Sequence, residues 1–417
     1  MILSRRSWSL FSSASFLFFL FILFQKASQR EQWRQIPQPV GMSEVSMPGL
    51  STTALSSWTI SPERINTSKT KSPSIPRPSL ATGVRKPSGS KYSKTVVVAQ
   101  KKTEDTYWIN RNLDWDFAVY IADDPTAPLH PPKNKGNEVM VYLTYIIDYY
   151  EKLPDIVAFM HFHQDSWHNE EVLNSDSVQM LNRLSPERVI REGYMNMRCI
   201  WAPGCPDWMH PRQAKVDEYK QEETVIIQSW SELFPDDPIP DVLAQPCCSQ
   251  FAVSREQILA TPLSRYFLYR DWLLRTELSD YISGRVWEYL WQVIFTGKHV
   301  FCPKTHVCLC DGFGICFGGE KEADAYFDLR HEVRRLEDDL EKLEEEADRV
   351  DQIINEGSEA LETLEMPDEN VIEELMGKLD TKTRRLMQMK SEALSRGMQP
   401  KNRALEAGRP WKEGDGF

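Results

Sequence analysis

The sequence predicts an α/β domain, a mostly parallel sheet with flanking helices, set between an N-terminal membrane anchor and a C-terminal coiled coil. Three observations predict it. Short β-branched runs alternate with helix-period segments between Lys94 and Gly319, the pattern of strand–helix–strand units. Ser7–Phe24 is an uncharged apolar run. Apolar residues then recur at 3-4 spacing from Tyr326 to Leu364. With 417 residues, 41% of them hydrophobic, the chain can bury one large core or two modest ones.

Charge separates the pieces. The formal net charge of −12 argues against a general nucleic-acid binder. Residues 320–365 carry 18 acidic and 6 basic residues, so the rest of the chain is neutral overall.

Arg5-Arg6 precede the apolar run and Lys26 follows it. This reads as a cytoplasmic tail, 1–6, and a signal anchor, 7–24, of a type II protein of the secretory pathway, in the ER or Golgi. A cleaved signal peptide is the competing reading, but Gln25-Lys26-Ala27-Ser28 is a poor cleavage match. Residues 25–93 are rich in Pro, Ser, Thr and Lys and read as a disordered lumenal stem. The stem contains a glycosylation acceptor triplet, Asn66-Thr67-Ser68.

All eight cysteines lie beyond the anchor: Cys199, Cys205, Cys247, Cys248, Cys302, Cys308, Cys310 and Cys316. An even number in a lumenal domain predicts disulfides, with a zinc knot as the alternative for the last four. Adjacent Cys247 and Cys248 are each expected to have a distant partner.

In the domain, 94–319, Thr95–Ala99, Phe117–Ile121 and Asp155–Met160 read as buried strands, and Val139–Tyr150 as a helix stopped at Leu153-Pro154. Further on, Ser185–Gly193, Arg255–Leu259, Tyr266–Glu277 and Gly284–Phe295 read as helices, and Arg198–Trp201 as a strand. Parallel sheets bind ligands outside the carboxyl ends of their strands. Two polar clusters fall there. His161, His163 and Asp165, at i, i+2 and i+4, would share one face of a strand, with His168 close by. Imidazole and carboxylate together suit a divalent metal such as Mn²⁺, while the bland reading is a hydrogen-bonded strand end. Asp123 and Asp124 follow the second strand and would hold a nucleotide or act in catalysis; an acidic turn before Pro125 is the alternative. No Gly-rich phosphate loop, dinucleotide fingerprint or G-x-S-x-G elbow is present.

Several blocks occur in order: NKGNE at Asn134–Glu138, YLTYIIDYYEKLPDIVAFMHFHQDSWHN, MRCIWAPGCP, CCSQFAVSREQI, SGRVWEYLWQVIF and CPKTHVCLCDGFGIC. Through them Thr95–Gly318 resembles the fungal domain-of-unknown-function family 3431. The resemblance implies a fungal, membrane-anchored protein and no established reaction. The opening strand–acidic loop–helix is also similar to the nucleotide-sugar half of GT-A glycosyltransferases. Asp114-Trp115-Asp116 precedes a strand where that family's acidic motif follows one, so Asp123-Asp124 or the His161–Asp165 cluster would substitute. The expected function is therefore glycosyltransferase-like, with a nucleotide sugar or glycan as partner. Two alternatives stand beside it. One is a metal-dependent hydrolase using His161, His163, Asp165 and His168. The other is a non-catalytic scaffold acting through its coiled coil.

The acidic segment, 320–365, reads as a coiled coil that pairs with a second helix, 366–395, or self-associates with another chain. Met366-Pro367 separates the two, and 396–417 reads as a disordered tail.

Overall fold

The computed structural model describes residues 83–87, 90–110, 113–213, 217, 220–355 and 367–417. The expected anchor, nearly all of the stem with Asn66, and the heptads after Asn355 lie outside the described residues. Among the described residues, no helix is long and apolar enough to cross a membrane.

The elements in chain order are β1 (Lys94–Gln100), β2 (Asp116–Ile121), α1 (Val139–Tyr149), β3 (Ile156–His161), α2 (Ser177–Arg183), α3 (Pro186–Glu192), β4 (Tyr194–Asn196), α4 (Glu223–Leu233), β5 (Phe251–Ser254), α5 (Arg255–Leu259), α6 (Leu263–Arg275), α7 (Asp280–Glu288), α8 (Trp291–Thr296), α9 (Glu320–Asn355), α10 (Glu369–Gly397) and α11 (Pro400–Glu406). The sheet order is β2-β1-β3-β5-β4. β1 pairs in parallel with β2 and β3, whereas β5 runs antiparallel to both β3 and β4. The sheet is therefore mixed rather than mostly parallel. The strand expected at Arg198–Trp201 is absent, and Tyr194–Asn196 takes the edge instead. Cys199 is tied to Cys308, and the chain then turns through cis Pro203 and cis Pro206.

Both faces of the sheet are covered, so its strands read as unbroken apolar runs. Alternation sorts them. Val97, Val157, Phe159, Phe251 and Val253 meet α1, α6, α7 and α8 in a core dominated by Tyr142, Tyr145, Trp287, Trp291 and Phe295. Val96, Val98, Ala158, Met160 and Ala252 face the other way, onto Trp108, Met180, Val189, Leu309 and Phe313. Local signals set the helix ends. Asp176 caps α2 by accepting from Val178 and Gln179 N–H. Ser185 caps α3, Pro186 occupies its first turn, and Gly193, at φ +75°, ends it.

The single helix expected over Gly284–Phe295 is broken between α7 and α8. Side-chain amides take the carbonyls that would continue it: Gln245 donates to the Glu288 carbonyl, and Gln292 donates to Tyr289 O at 2.8 Å.

The C-terminal helices belong to the same body. α9 and α10 lie antiparallel, with Lys382 2.5 Å from Glu332 and Val333, Leu340 and Val350 buried. Tyr326 stacks on Phe317 of the domain, with ring centroids 4.6 Å apart. Cys316 N–H bonds Ala393 O, and Arg396 spans Cys316 O and Phe317 O at 2.8 and 2.7 Å. The tail expected to be disordered, 396–417, is helical over α11 and docked. Gly397 lies so close to Gly314 that an added Cβ would come within 1.9 Å of its carbonyl oxygen. Beyond α11, Arg409 reaches Asp311 at 2.6 Å. Composition misleads here, because this polar segment is held by arginine contacts rather than apolar burial.

All eight cysteines are bonded, as Cys199–Cys308, Cys205–Cys302, Cys247–Cys248 and Cys310–Cys316. The last four cysteines form no zinc knot. The expectation of distant partners for Cys247 and Cys248 is overturned. The other six cysteines are spent on each other, and Cys248 at φ +96° with Ser249 at φ +49° turns the chain sharply there.

Candidate active site

The topology locates a crevice. From β1 the chain moves to β2 on one side, then returns through α1 to β3 on the other, which makes a switch point between β1 and β3. Ala99 pairs with His161 at its floor. α1, entered from the end of β2, points its amino terminus to the same side. β5 is antiparallel to β3, and Phe159 pairs with Phe251, so the segment Cys247–Gln250 arrives there as well.

That segment is the hub. Gln250 Oε1 accepts from His161 N–H at 3.0 Å, and its amide donates to Asn169 Oδ1 at 2.9 Å. Cys248 N–H donates to Glu288 Oε1 at 2.7 Å. Ser249 is buried facing Glu138, its hydroxyl short of hydrogen-bond geometry. Left-handed residues bound the crevice on two sides: Gly136 and Asn137 at φ +67° and +53° before α1, and Cys248 and Ser249 at the hub. Paired non-ideal backbone of this kind collects at ligand sites.

The ionisable groups here are displaced from their ordinary states. Burial pushes Glu138 and Glu288 each up to about 7. For Glu288, Arg285 and the Cys248 N–H act against burial, while the Glu138 charge acts with it. The Glu138 charge thus disfavours ionisation of Glu288. Burial lowers His161 to about 4. It also lowers His168 to about 2, helped by the His161, His163 and Arg198 charges. Both imidazoles are neutral at neutral pH. Their rings meet edge to face at 4.8 Å; His168 Nδ1 bonds Ser166 Oγ at 2.7 Å, and His161 Nε2 is buried without a partner.

The predicted metal set is not brought together. β3 ends at His161, two residues short of His163 and four short of Asp165, so the alternation that would align them stops there. His163 and Asp165 are exposed, the former against Phe162 at 3.7 Å. Partial desolvation of its carboxyl and the Asp176 charge raise Asp165. Among the described residues, the ligand-type groups that converge within 4.8 Å are Cys247, Cys248 and Glu288, and Cys310, Cys316 and Glu406, all four thiols being in disulfides. His161, His163 and Asp165 do not form such a set.

Asp123 and Asp124 lie beyond β2, a strand that β1 separates from β3 and His161. Asp123 accepts from Lys102 N–H at 2.8 Å. Asp124 accepts from Thr126 Oγ1 and N–H at 2.6 and 3.0 Å and pairs with Lys102 at 3.0 Å, contacts that hold its carboxyl down at about 2. Both carboxylates serve the turn.

Glu138, Glu288, Ser249 and Gln250 are the residues that sequence reasoning passed over. Their signals were present: Glu138 ends the NKGNE block, Ser249 and Gln250 stand in the CCSQ block, and Glu288 is a lone acid between Trp287 and Tyr289, both buried.

No curated protein and no solved structure matches the chain. Residues 96–311, just over half of it, match the family described as "Protein of unknown function (DUF3431)". That span runs from β1 to Asp311 and contains the hub and both carboxyls, and on this match the chain belongs to the DUF3431 family.

Proposed function

We propose that the domain is a glycosyltransferase-like enzyme that moves a sugar from a nucleotide donor to a hydroxyl acceptor. The observation that carries this is the placement of two acids, Glu138 before α1 and Glu288 bonded to the Cys248 N–H, toward the β1–β3 switch point, each pushed up to about 7. A base near the working pH is the one best matched to deprotonating a hydroxyl. In this reading the ionised member of the pair takes the acceptor's proton. The acceptor oxygen bonds to the anomeric carbon as the bond from that carbon to the diphosphate oxygen breaks, and the diphosphate leaves with the electron pair. His161 Nε2 hydrogen-bonds the substrate. The analogy to GT-A transferases rests on the sequence pattern of the opening strand, acidic loop and helix. A divalent cation such as Mn²⁺ would stabilise a leaving diphosphate. His161, His163 and Asp165 do not fit it as a set, so no step is routed through one. We place the domain on the lumenal side of a secretory-pathway membrane, behind the Ser7–Phe24 anchor.

A thermal-shift screen of the purified protein against nucleotide sugars, with and without Mn²⁺, tests this. One donor class should raise the melting temperature. His161→Ala should lose that response, and Glu288→Gln should keep it while losing transfer. A flat response to every donor under both conditions removes the reading.

A further inference from the structure

A second charged cluster lies away from the crevice. α3 ends at Gly193, whose carbonyl accepts from Ser254 N–H, and Ser254 pairs with Ile156 at the amino end of β3. Arg191 therefore sits toward the end of the sheet opposite His161. It belongs to a group of three guanidiniums on one carboxylate. Arg188 and Arg191 reach Asp311 Oδ2 at 2.7 and 2.5 Å, and Arg409, from the C-terminal segment, reaches Oδ1 at 2.6 Å. Asp311 is 2% exposed and Arg188 7%. Arg403 is close enough for its charge to act on Asp311. The opposing carboxylates are few: Glu192, 3.4 Å from Arg191 and half exposed, and Glu187, which acts on Arg403.

Two features go beyond a structural ion pair. The charges do not balance, since three arginines share one buried acid. In addition, Nε of Arg188, Nη1 of Arg191 and Nε of Arg409 are buried without a hydrogen bond, and Arg191 Nε meets only Glu192, 3.4 Å away. Guanidinium forks are suited to two-point contacts with oxyanions, yet each of these meets Asp311 through a single nitrogen. Arg191 and Arg409 keep 17% and 21% of their side-chain surface, so solvent reaches both side chains.

We infer that Arg188, Arg191 and Arg409 form a binding site for a tetrahedral oxyanion of the phosphate class, assembled only when the C-terminal segment docks. The ligand supplies the negative charge that Asp311 alone does not. It thereby fastens α11 and the segment after it to α3. The site is independent of the proposed transfer reaction.

The test is thermal melting of the full chain against inorganic phosphate, with potassium chloride balancing ionic strength. Phosphate should raise the melting temperature saturably, and Arg409→Gln should weaken the apparent affinity roughly tenfold or more. Asp311→Asn separates this site from a plain ion-pair latch. With its counter-charge gone, that variant should melt lower and gain more from phosphate than the unmutated protein does. Glycerol 3-phosphate against phosphatidic acid in phosphatidylcholine vesicles distinguishes a soluble phosphomonoester from a lipid headgroup. A wild-type response no larger than that to chloride overturns the site. So does a destabilised Asp311→Asn that phosphate fails to restore.

Discussion

At the residue scale the carboxyl pair makes a signed prediction. A glutamic acid raised from 4.5 to about 7 on folding binds its proton more tightly in the folded state. It favours folding below about pH 4.5, and that contribution is lost as pH rises through 7. Glu288→Gln should therefore melt higher than the unmutated protein at pH 8 and nearly level with it at pH 5. Equal differences at both values would mean that Glu288 is an ordinary carboxylate. The histidines have the opposite sign. His161 and His168 are lowered on folding, so stability falls as pH drops below 6.5, where the unfolded chain takes up protons that the folded one refuses. His161→Ala should flatten the acid limb of the stability profile, which urea unfolding between pH 4 and 7 would read.

At the element scale, two disulfides and one ion cluster hold the cysteine-rich end and the tail. Cys199–Cys308 and Cys205–Cys302 close separations of 109 and 97 residues. Loops of that length give about 4–5 kcal/mol each in the chain-entropy estimate, with about 2–4 the usual measured range. Cys205→Ser with Cys302→Ser should lower unfolding free energy within that range. Asp311→Ala should cost about 3–5 kcal/mol, because it leaves three guanidiniums uncompensated. Limited proteolysis should then cut the chain after Gly397 first, where α11 leaves α10. A tail no more sensitive than before would show that the helical hairpin, not Asp311, holds it.

At the scale of the whole molecule the proposed lumenal placement makes its own prediction. Protease added to intact microsomes should leave most of the chain protected, and Asn66→Gln should remove a glycan-dependent mobility shift. Degradation to a short stub would overturn the lumenal placement. Four disulfides agree with an oxidising compartment, since the cytosol keeps thiols reduced.

The sequence by itself determined what depends on local spacing. The three parallel strands, α1, α3 with its Ser185-Pro186 start and Gly193 stop, and α5 were legible, because period, cap and breaker residues act within a turn or two. Tertiary structure decided everything that needed chain-distant partners. The antiparallel β5 between β3 and β4, the helix break imposed by Gln245, the pairing of Cys247 with Cys248 and the docking of the arginine-rich tail all depend on groups remote in sequence or on a backbone turn. The site shows the same division. The sequence placed His161 on its strand, but the alignment with His163 and Asp165 stops where β3 ends. Glu138 and Glu288, 150 residues apart, acquire raised proton affinity only because folding buries them around one hub loop. Burial is a property of the assembled fold, and no local pattern encodes it.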